Sequence, residues 1–419
     1  MVKRAVAMRK SAVLWIVAVV CLALVGSAGP ATSAAAGGAH QWLGTWATAM
    51  LPPGATAESV TGFTDQTVRQ QVHVSLGGTA VRLQLANTFG SAPLQVTDVQ
   101  VALAAGKGAI KPGTSRPVTV GHAGAFTVPP GARVLSDPVP MSVRDGGDLS
   151  VSIYFKTPTG PVTYHRQSRE LTYVSTEGNH TGDLTAAQYP TALESWFFLD
   201  TVQVATRSSG GAVVTLGDSI TDGDGSTIGA NRRWPDVLAR RLNGRAPVLN
   251  AGIGANRVLN DSSLGGVNAL ARLDRDVLAQ PGVRTLIVLE GINDIGFSQF
   301  PPTPGAEPLT NVSAQEIIGG YQQIIEHAHA DGLRVVGGTL IPFKGSFYWD
   351  QAAETKRQQV NSWIRTSRAF DGVVDFDAAV RDRTDPAVLA PKYDSGDHLH
   401  PSDVGYQAMG NAVNLELLR

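Results

Sequence analysis

Cysteine is almost absent from this 419-residue chain, whose single copy is Cys21. Cys21 lies within an apolar amino-terminal run that we expect to be removed, so the mature chain would contain no cysteine. This absence excludes a thiolate nucleophile, a cysteine metal site and stabilising disulfides. A chain that works in an oxidising space without disulfides must rely on a large hydrophobic core.

The sequence also lacks an apolar run near its start that is long enough to cross a membrane. Residues 12–25 are uninterruptedly apolar, but this run of fourteen falls short of the roughly 20 residues that a membrane helix needs. Four basic residues precede the run and small residues follow it, a pattern that predicts a secretory signal peptide over residues 1–36. We therefore expect a secreted, extracellular protein without stable membrane anchoring.

There is no excess of positive charge. The four basic residues of the leader leave 30 Lys and Arg against 35 Asp and Glu in the remainder, a net charge of about −5. Such a balance favours neither nucleic acid nor an anionic membrane as a partner. The expected partner is a small-molecule or polysaccharide substrate, whereas the oligomeric state is left open.

Helical periodicity is scarce in residues 41–207, where apolar and polar residues alternate instead. The stretch "QVHVSLGGTAVRLQLAN" places Gly77 and Gly78 between two alternating runs and predicts a β-hairpin. Many short strands separated by turn residues indicate an all-β sandwich of jelly-roll type.

The pattern changes after residues 208–211, "SSGG", which we interpret as a linker. In residues 212–419 apolar strands alternate with helices, and the helix over 313–331 begins with a capping box of Ser313 and Glu316. This order predicts a parallel sheet covered on both faces, a three-layer α/β/α domain of flavodoxin-like type. The predicted strands are 212–216, 248–253, 285–289, 333–340 and 373–376.

Polar residues that could carry chemistry follow the ends of these strands, where ligands bind in such sheets. The first strand ends in "GDSIT", which contains Ser219. A serine nucleophile needs a histidine base and a carboxylate that orients it. Asp397 and His400 are three residues apart in "DHLHP", a spacing that puts both on one side of a turn. His398 would point elsewhere and is assigned to packing or a substrate contact.

Donors for a tetrahedral oxyanion follow the second and third strands. Asn293 in "GIND" offers a side-chain amide, and the turn "NAGIGANR" offers backbone N–H groups. Taken alone, each feature is also common in proteins without catalytic activity, where an asparagine in such a position caps a helix or a turn. Their coincidence after four strands predicts one catalytic cleft.

The strings "GDSIT", "NAGIGANR", "GIND" and "DHLHP" resemble, in order, the four sequence blocks of GDSL esterases and lipases of the SGNH hydrolase superfamily. The resemblance covers residues 212–419 and implies a carboxylic ester hydrolase that uses no cofactor and no metal. It implies that Ser219 is the nucleophile and an oxyanion donor, that His400 is the base and Asp397 its partner, and that Asn293 donates to the oxyanion.

The second block departs from the family pattern, because Ala255 stands where the family usually has glycine. An alanine keeps its backbone N–H, but it fits there only if the backbone does not require a positive φ. Gly254 is the alternative donor. The β-rich half followed by this catalytic half also resembles extracellular two-domain members of the family.

Three other types of site fit the sequence less well. An α/β-hydrolase elbow needs glycine where Thr221 stands, and a calcium loop at 222–233 lacks its central glycine and its closing glutamate. A metal site at Asp397, His398 and His400 lacks further ligands. The remaining competitor is a secreted carbohydrate-binding or adhesion protein whose α/β half is an inactive scaffold.

Two aromatic loops at the same sheet edge are candidates for the substrate pocket. One carries Phe297 and Phe300, and the other, "PFKGSFYWD", carries Phe347 and Trp349. Long loops in compact domains are often functional. We expect these four residues either to line an acyl or sugar subsite or to pack together. The sequence leaves open whether the ester is of lipid, carbohydrate or aromatic type.

Overall fold

The computed structural model of the protein describes residues 40–208 and 210–418. The predicted signal peptide and Cys21 lie outside the described residues, so secretion stays a prediction. From His40 onward the chain is one compact unit. Within the described ranges, no helix combines the length and the apolar character needed to cross a bilayer.

The first part of the described chain is rich in strands and contains a single short helix. Its elements are β1 (Gln41–Ala47), α1 (Ala57–Thr61), β2 (Gln66–His73), β3 (Gly78–Ala86), β4 (Leu94–Val96), β5 (Asp98–Gly106), β6 (Ala109–Ile110), β7 (Arg116–Pro117), β8 (Phe126–Val128), β9 (Arg133–Leu135), β10 (Val139–Val143), β11 (Asp148–Phe155), β12 (Tyr164–Arg166), β13 (Thr172–Glu177), β14 (Thr191–Leu193), β15 (Ser195–Phe197) and β16 (Leu199–Thr206).

These strands form two main antiparallel sheets. One has the order β1-β16-β3-β10, with β9 also on β3, and the other has the order β14-β13-β2-β11-β5-β6, with β7 also on β5. The strand-rich first half that the alternating pattern predicted is therefore present. The jelly-roll topology and the domain boundary at 208–211 stay predictions.

The predicted hairpin around Gly77 is wrong, because β2 and β3 belong to different sheets. The segment between them crosses from one sheet to the other, and the N–H of Leu76 donates to the Thr45 hydroxyl over 2.8 Å. A Cβ at Gly77 would lie 2.3 Å from the carbonyl oxygen of Val143. Glycine is therefore needed there, because the two backbones approach too closely for a side chain. Alternation identifies the buried face of a strand but not its neighbour.

The second part alternates strands and helices. Its elements are β17 (Ala212–Gly217), α2 (Ser219–Asp222), α3 (Trp234–Leu242), β18 (Val248–Gly252), α4 (Ala269–Leu273), β19 (Val283–Leu289), α5 (Ile292–Gly296), α6 (Ala314–Ala330), β20 (Arg334–Gly338), α7 (Gln351–Thr366), β21 (Gly372–Val374), α8 (Phe376–Val380) and α9 (Asp403–Ala412), with a π-helical turn (Asp274–Leu278) and two 3₁₀ turns (Phe297–Gln299 and Leu415–Leu418).

The strands of this part form a parallel sheet in the order β18-β17-β19-β20-β21, which confirms the predicted parallel sheet. The order is the 2-1-3-4-5 arrangement of doubly wound sheets. Helix α3 packs on α9 and α9 on α8, whereas α6 packs on α7 and α4. The three-layer arrangement as a whole stays a prediction.

Element boundaries follow the capping residues. Helix α6 has Ser313 as N-cap with the predicted capping box, and its buried stripe is the expected one of Ile317, Tyr321, Ile324, Ile325 and Ala328. The last strand is shorter than expected, because the Asp375 side chain caps α8 and Phe376 is already helical. A capping carboxylate ends a strand where apolar content alone would extend it.

A buried pair joins the strand-rich part to the parallel sheet. His165 in β12 has its Nε2 3.0 Å from Oδ1 of Asp222 in α2, and its Nδ1 2.8 Å from the Ala49 carbonyl oxygen. The other oxygen of Asp222 accepts a hydrogen bond from the N–H of Gly254 over 3.1 Å. One carboxylate therefore connects β12, α2 and the turn after β18, and brings the end of β12 to the edge of the parallel sheet.

We expect His165→Ala to lower the free energy of unfolding by about 2 kcal/mol, because a buried Asp222 oxygen would lose its partner. Urea denaturation measures the effect. The matched control is His327→Ala on the exposed face of α6, which should change stability by less than about 0.5 kcal/mol. Equal losses in both variants would contradict this account.

Candidate active site

Ser219 lies at the point where β17 gives way to α2. Asp218 is the N-cap of this helix, and its carboxylate accepts a hydrogen bond from the N–H of Ile220 over 3.0 Å. Ser219 is the first helical residue, where backbone N–H groups have no partner within the helix. Among the described residues its N–H meets no acceptor, so the turn presents both the hydroxyl and the N–H of Ser219.

Ser219, His400 and Asp397 form a continuous line of hydrogen bonds. The Ser219 Oγ lies 2.8 Å from His400 Nε2, and His400 Nδ1 lies 2.5 Å from Oδ2 of Asp397. The other oxygen of Asp397 accepts from the N–H groups of Leu399 and His400, at 2.9 Å and 2.8 Å. This local turn holds the carboxylate still, and the carboxylate in turn holds the ring with Nε2 facing the serine.

Carboxylates around His400 outweigh the effect of its burial. Burial alone would lower its pKa, but the hydrogen bond that its ring donates to Asp397 and the negative charges of Asp224 and Asp397 raise the pKa of His400 above its usual value. Burial would raise the pKa of Asp397, yet its hydrogen bonds to His400 lower that pKa well below its usual range. Burial raises the pKa of Asp224 to about 6. At neutral pH, Asp397 and Asp224 are therefore both carboxylates.

The Asn293 side chain is held from both ends of its amide. Its Nδ2 donates to the Asn256 carbonyl oxygen over 2.8 Å, and its Oδ1 accepts from the Tyr348 hydroxyl, also over 2.8 Å. An amide nitrogen carries two hydrogens, so one remains for a ligand. Tyr348 prevents the amide from flipping, a role that no spacing in the sequence indicated.

The two candidate backbone donors differ in whether their N–H groups are already engaged. The N–H of Gly254 is already engaged by Asp222, whereas that of Ala255 meets no acceptor within the described residues. Ala255 has a φ of 65°, in the left-handed region that favours glycine. The backbone here does require a positive φ, so alanine does not fit this turn without strain. Ala255 adopts a conformation that favours glycine, at a cost in free energy.

One pocket of about 210 Å³ contains Ser219, Ala255, Asn293, Asp397 and His400 in its lining. The lining consists of Arg166, Gln167, Ser219, Asp224, Ala255, Leu264, Asn293, Phe300, Phe347, Tyr348, Asp397, Leu399 and His400. Of the four aromatic residues expected here, Phe300 and Phe347 are present. No catalytic motif pointed to the other polar residues of the lining. Arg166 and Gln167 come from the strand-rich part, and Asp224 lies in the loop that follows Ser219.

Phe297 and Trp349 do not line the pocket. Phe297 is completely buried, with the Arg257 guanidinium 4.4 Å from its ring centre. Trp349 has the Lys344 ammonium 5.5 Å from its ring centre. The aromatic content of a loop does not tell which rings face the core. His398 is turned away, as expected, with Nδ1 2.6 Å from an oxygen of Asp394.

Residues 215–408 match the GDSL-like lipase/acylhydrolase family. They form a GDSL-like lipase/acylhydrolase domain. The chain is accordingly a carboxylic ester hydrolase. The match begins in β17 and ends in α9, so it includes Ser219, Asn293, Asp397 and His400.

No curated protein matches the chain, but solved structures resemble about half of it. A GDSL-like lipase from Bacteroides thetaiotaomicron is 19% identical, with a TM-score of 0.37, and the match covers 49% of this chain and 87% of that one. A member of the lipolytic G-D-S-L family from Veillonella parvula is 18% identical, with a TM-score of 0.35 and coverages of 48% and 94%. A carbohydrate acetylesterase family member from Sinorhizobium meliloti is 17% identical, with a TM-score of 0.40 and coverages of 50% and 99%.

We expect Ala255→Gly to raise the free energy of unfolding by about 0.5–1 kcal/mol, because glycine adopts a positive φ without strain. Urea denaturation measures the change. The matched substitution Ala328→Gly, in the middle of α6, should instead lower stability by about 1 kcal/mol or more. A loss of stability in Ala255→Gly would show that the alanine is not strained.

The pH profile of the esterase should follow His400, which can accept the serine proton only when it is neutral. Activity should therefore fall as the pH drops through the raised pKa of His400. Asp224→Asn removes a carboxylate that lies 4.0 Å from His400 Nε2. This lowers the pKa of His400 and should move the acid limb of kcat/KM for p-nitrophenyl acetate to lower pH. Asp148→Asn, at a residue outside the pocket, is the control and should leave the acid limb unchanged. An unchanged acid limb in Asp224→Asn would contradict the assignment of that limb to His400.

Proposed function

We propose that the protein is a secreted serine esterase that hydrolyses acyl or acetyl esters of lipids or carbohydrates through a covalent acyl-enzyme. The observation that carries the proposal is the line from the Ser219 hydroxyl through His400 to Asp397, with contacts of 2.8 Å and 2.5 Å. A hydroxyl paired with a base, and a base oriented by a carboxylate, is the arrangement that activates serine.

The first half of the reaction forms the acyl-enzyme. His400 Nε2 removes the hydroxyl proton as the Ser219 Oγ attacks the ester carbonyl carbon. The carbonyl oxygen becomes an oxyanion, and His400 then returns the proton to the departing alkoxide as the carbon–oxygen bond breaks. Asp397 remains a carboxylate throughout and stabilises the imidazolium.

The second half releases the acid. A water molecule gives its proton to His400 and attacks the acyl carbon, and His400 then protonates the Ser219 Oγ as it leaves. In both halves the oxyanion would be held by the N–H groups of Ser219 and Ala255 and by the free amide hydrogen of Asn293. These three donors are supported by the common position of their residues at the pocket and because, among the described residues, the two N–H groups and the second Asn293 amide hydrogen meet no other acceptor.

The pocket supports a short acyl group. Its volume of about 210 Å³ and its aromatic residues Phe300, Phe347 and Tyr348 suit an acetyl or similarly small apolar group.

Secretion belongs to the same proposal and rests on the sequence of residues 1–36. The three-layer catalytic domain and the preceding jelly-roll-like sandwich belong to it as well.

Ser219→Ala should lower kcat for p-nitrophenyl acetate by about 10⁶-fold, since without the nucleophile only binding and the oxyanion donors remain. Steady-state release of p-nitrophenol measures it. Ser263→Ala, at an exposed serine outside the pocket, is the matched control and should keep full activity.

Asn293→Ala in the same assay should cost about 10²–10³-fold in kcat, the usual effect of removing one oxyanion donor. Activity that survived in Ser219→Ala would overturn the proposed function. The complete absence of ester hydrolysis by the wild-type protein, together with binding to glycans, would favour the carbohydrate-binding alternative instead.

A further inference from the structure

Three polar side chains of the pocket have no hydrogen-bonding partner within the described residues. The guanidinium of Arg166 and the amide of Gln167 make neither a hydrogen bond nor an ion pair there. The Asp224 carboxylate makes no hydrogen bond, and its nearest charged partner is His400 Nε2 at 4.0 Å. All three line the same pocket as Ser219.

The unpaired guanidinium of Arg166 contrasts with two buried arginines of the catalytic half, Arg272 and Arg357. Arg272 donates to three backbone or amide oxygens and pairs with Asp276, and Arg357 donates to Glu354 and Asp377. The Nε of Arg166 is buried and meets no acceptor among the described residues. Leaving a buried polar group unpaired costs free energy, and an unpaired group of this kind in a native structure calls for an explanation such as a catalytic role or a bound water or ion.

The three side chains converge on one point, next to Gly254. A Cβ built on Gly254 would lie 2.7 Å from Oε1 of Gln167, 3.6 Å from Nη2 of Arg166 and 3.8 Å from Oδ2 of Asp224. A side chain at residue 254 would therefore fill the space among them. Since the Gly254 N–H is already bound to Asp222, the role of this glycine in the pocket is to leave that space open.

The backbone that carries these groups is strained and firmly held. Gln167 has a φ of 60° and Arg169 a φ of 51°, both in the left-handed region, and strain of this kind persists mainly at functional sites. The segment is tied to the catalytic half by the guanidinium of Arg169, which donates to the Ser226 carbonyl oxygen, and by the N–H of Gly229, which donates to the Arg169 carbonyl oxygen over 2.9 Å. The backbone that carries Arg166 and Gln167 is thus positioned before any ligand binds.

We propose that Arg166, Gln167 and Asp224 form a subsite that binds the hydroxyl groups of a neutral sugar in the alcohol part of the ester substrate. The proposal rests on the proposed esterase function and narrows its substrate class to sugar esters with a short acyl group. It also gives the strand-rich part of the chain a role, because Arg166 and Gln167 belong to it.

The combination of donors and acceptors in these three side chains favours a neutral sugar over a charged alcohol or an alkyl chain. The guanidinium and the amide nitrogen donate hydrogen bonds, whereas the Asp224 carboxylate and the amide oxygen accept them, and a sugar hydroxyl both donates and accepts. A phosphate or carboxylate on the alcohol would be attracted by Arg166 but repelled by Asp224. An alkyl chain would leave all three groups unpaired.

The experiment compares two esters that share an acetyl group and a six-membered ring. Monoacetylated methyl β-xylopyranoside carries hydroxyls, and cyclohexyl acetate carries none. A site built to bind hydroxyls discriminates strongly against an analogue that lacks them. We expect the wild-type protein to prefer the sugar ester by at least about tenfold in kcat/KM, mainly through a lower KM.

Three variants test the subsite separately. Arg166→Met removes the charge and keeps the length, and Gln167→Gly removes the amide while tolerating the positive φ. Gly254→Ala fills the space without removing a polar group. Each should reduce the sugar preference by about tenfold or more, with the same urea midpoint as the wild type within about 0.5 M. Arg116→Met, at an exposed arginine outside the pocket, is the control and should keep the preference.

The outcomes separate this proposal from the esterase assignment. Loss of the preference in the three variants, with Ser219-dependent hydrolysis of both esters, supports the subsite. A wild-type protein that hydrolyses both esters equally through Ser219, or variants that keep the full preference, would overturn the subsite and leave the esterase intact. Hydrolysis that continues in Ser219→Ala would instead overturn the proposed function.

Discussion

The carboxylate of Asp222 is the contact on which the geometry of the pocket depends. One oxygen meets His165 from the strand-rich part, and the other accepts the N–H of Gly254. Asp222 itself lies in the short helix that begins with Ser219. A single buried group thus fixes the turn at Ser219, the turn at Gly254 and Ala255, and the strand that ends in Arg166. Because a buried carboxylate is costly without partners, these three segments are held together.

A second constraint is the balance of charge around His400. Burial favours the neutral ring, whereas the neighbouring carboxylates favour the charged ring, and the carboxylates prevail. In the proposed mechanism, the charges that raise the pKa of His400 would also stabilise the imidazolium formed as Ser219 attacks. The site would then gain transition-state stabilisation at the expense of activity in acid, where His400 is already protonated.

Backbone strain occurs at two residues of the pocket lining, where it would serve two different purposes. Ala255 and Gln167 both line the pocket, and both have a positive φ. In the proposed mechanism the backbone of Ala255 supplies an oxyanion donor, and in the proposed subsite the backbone of Gln167 aims its side chain. Both are tolerated because tightly bonded neighbours determine the local backbone. The aromatic residues of the pocket contribute apolar surface, and the strand-rich part contributes the groups that can bind a polar substrate.

The meeting of Ser219, Asn293, Asp397 and His400 in one pocket was predictable from the sequence, since these residues lie in short motifs that follow the ends of the predicted strands. The parallel strands and helix α6 were predictable for the same reason, because periodicity and caps are local. The pairing of β2 and β3, the burial of Phe297, the clamp of Tyr348 on Asn293 and the arrival of Arg166 and Gln167 at the pocket were not. Each depends on contacts between segments far apart in the chain, and only the tertiary structure decides which of them meet.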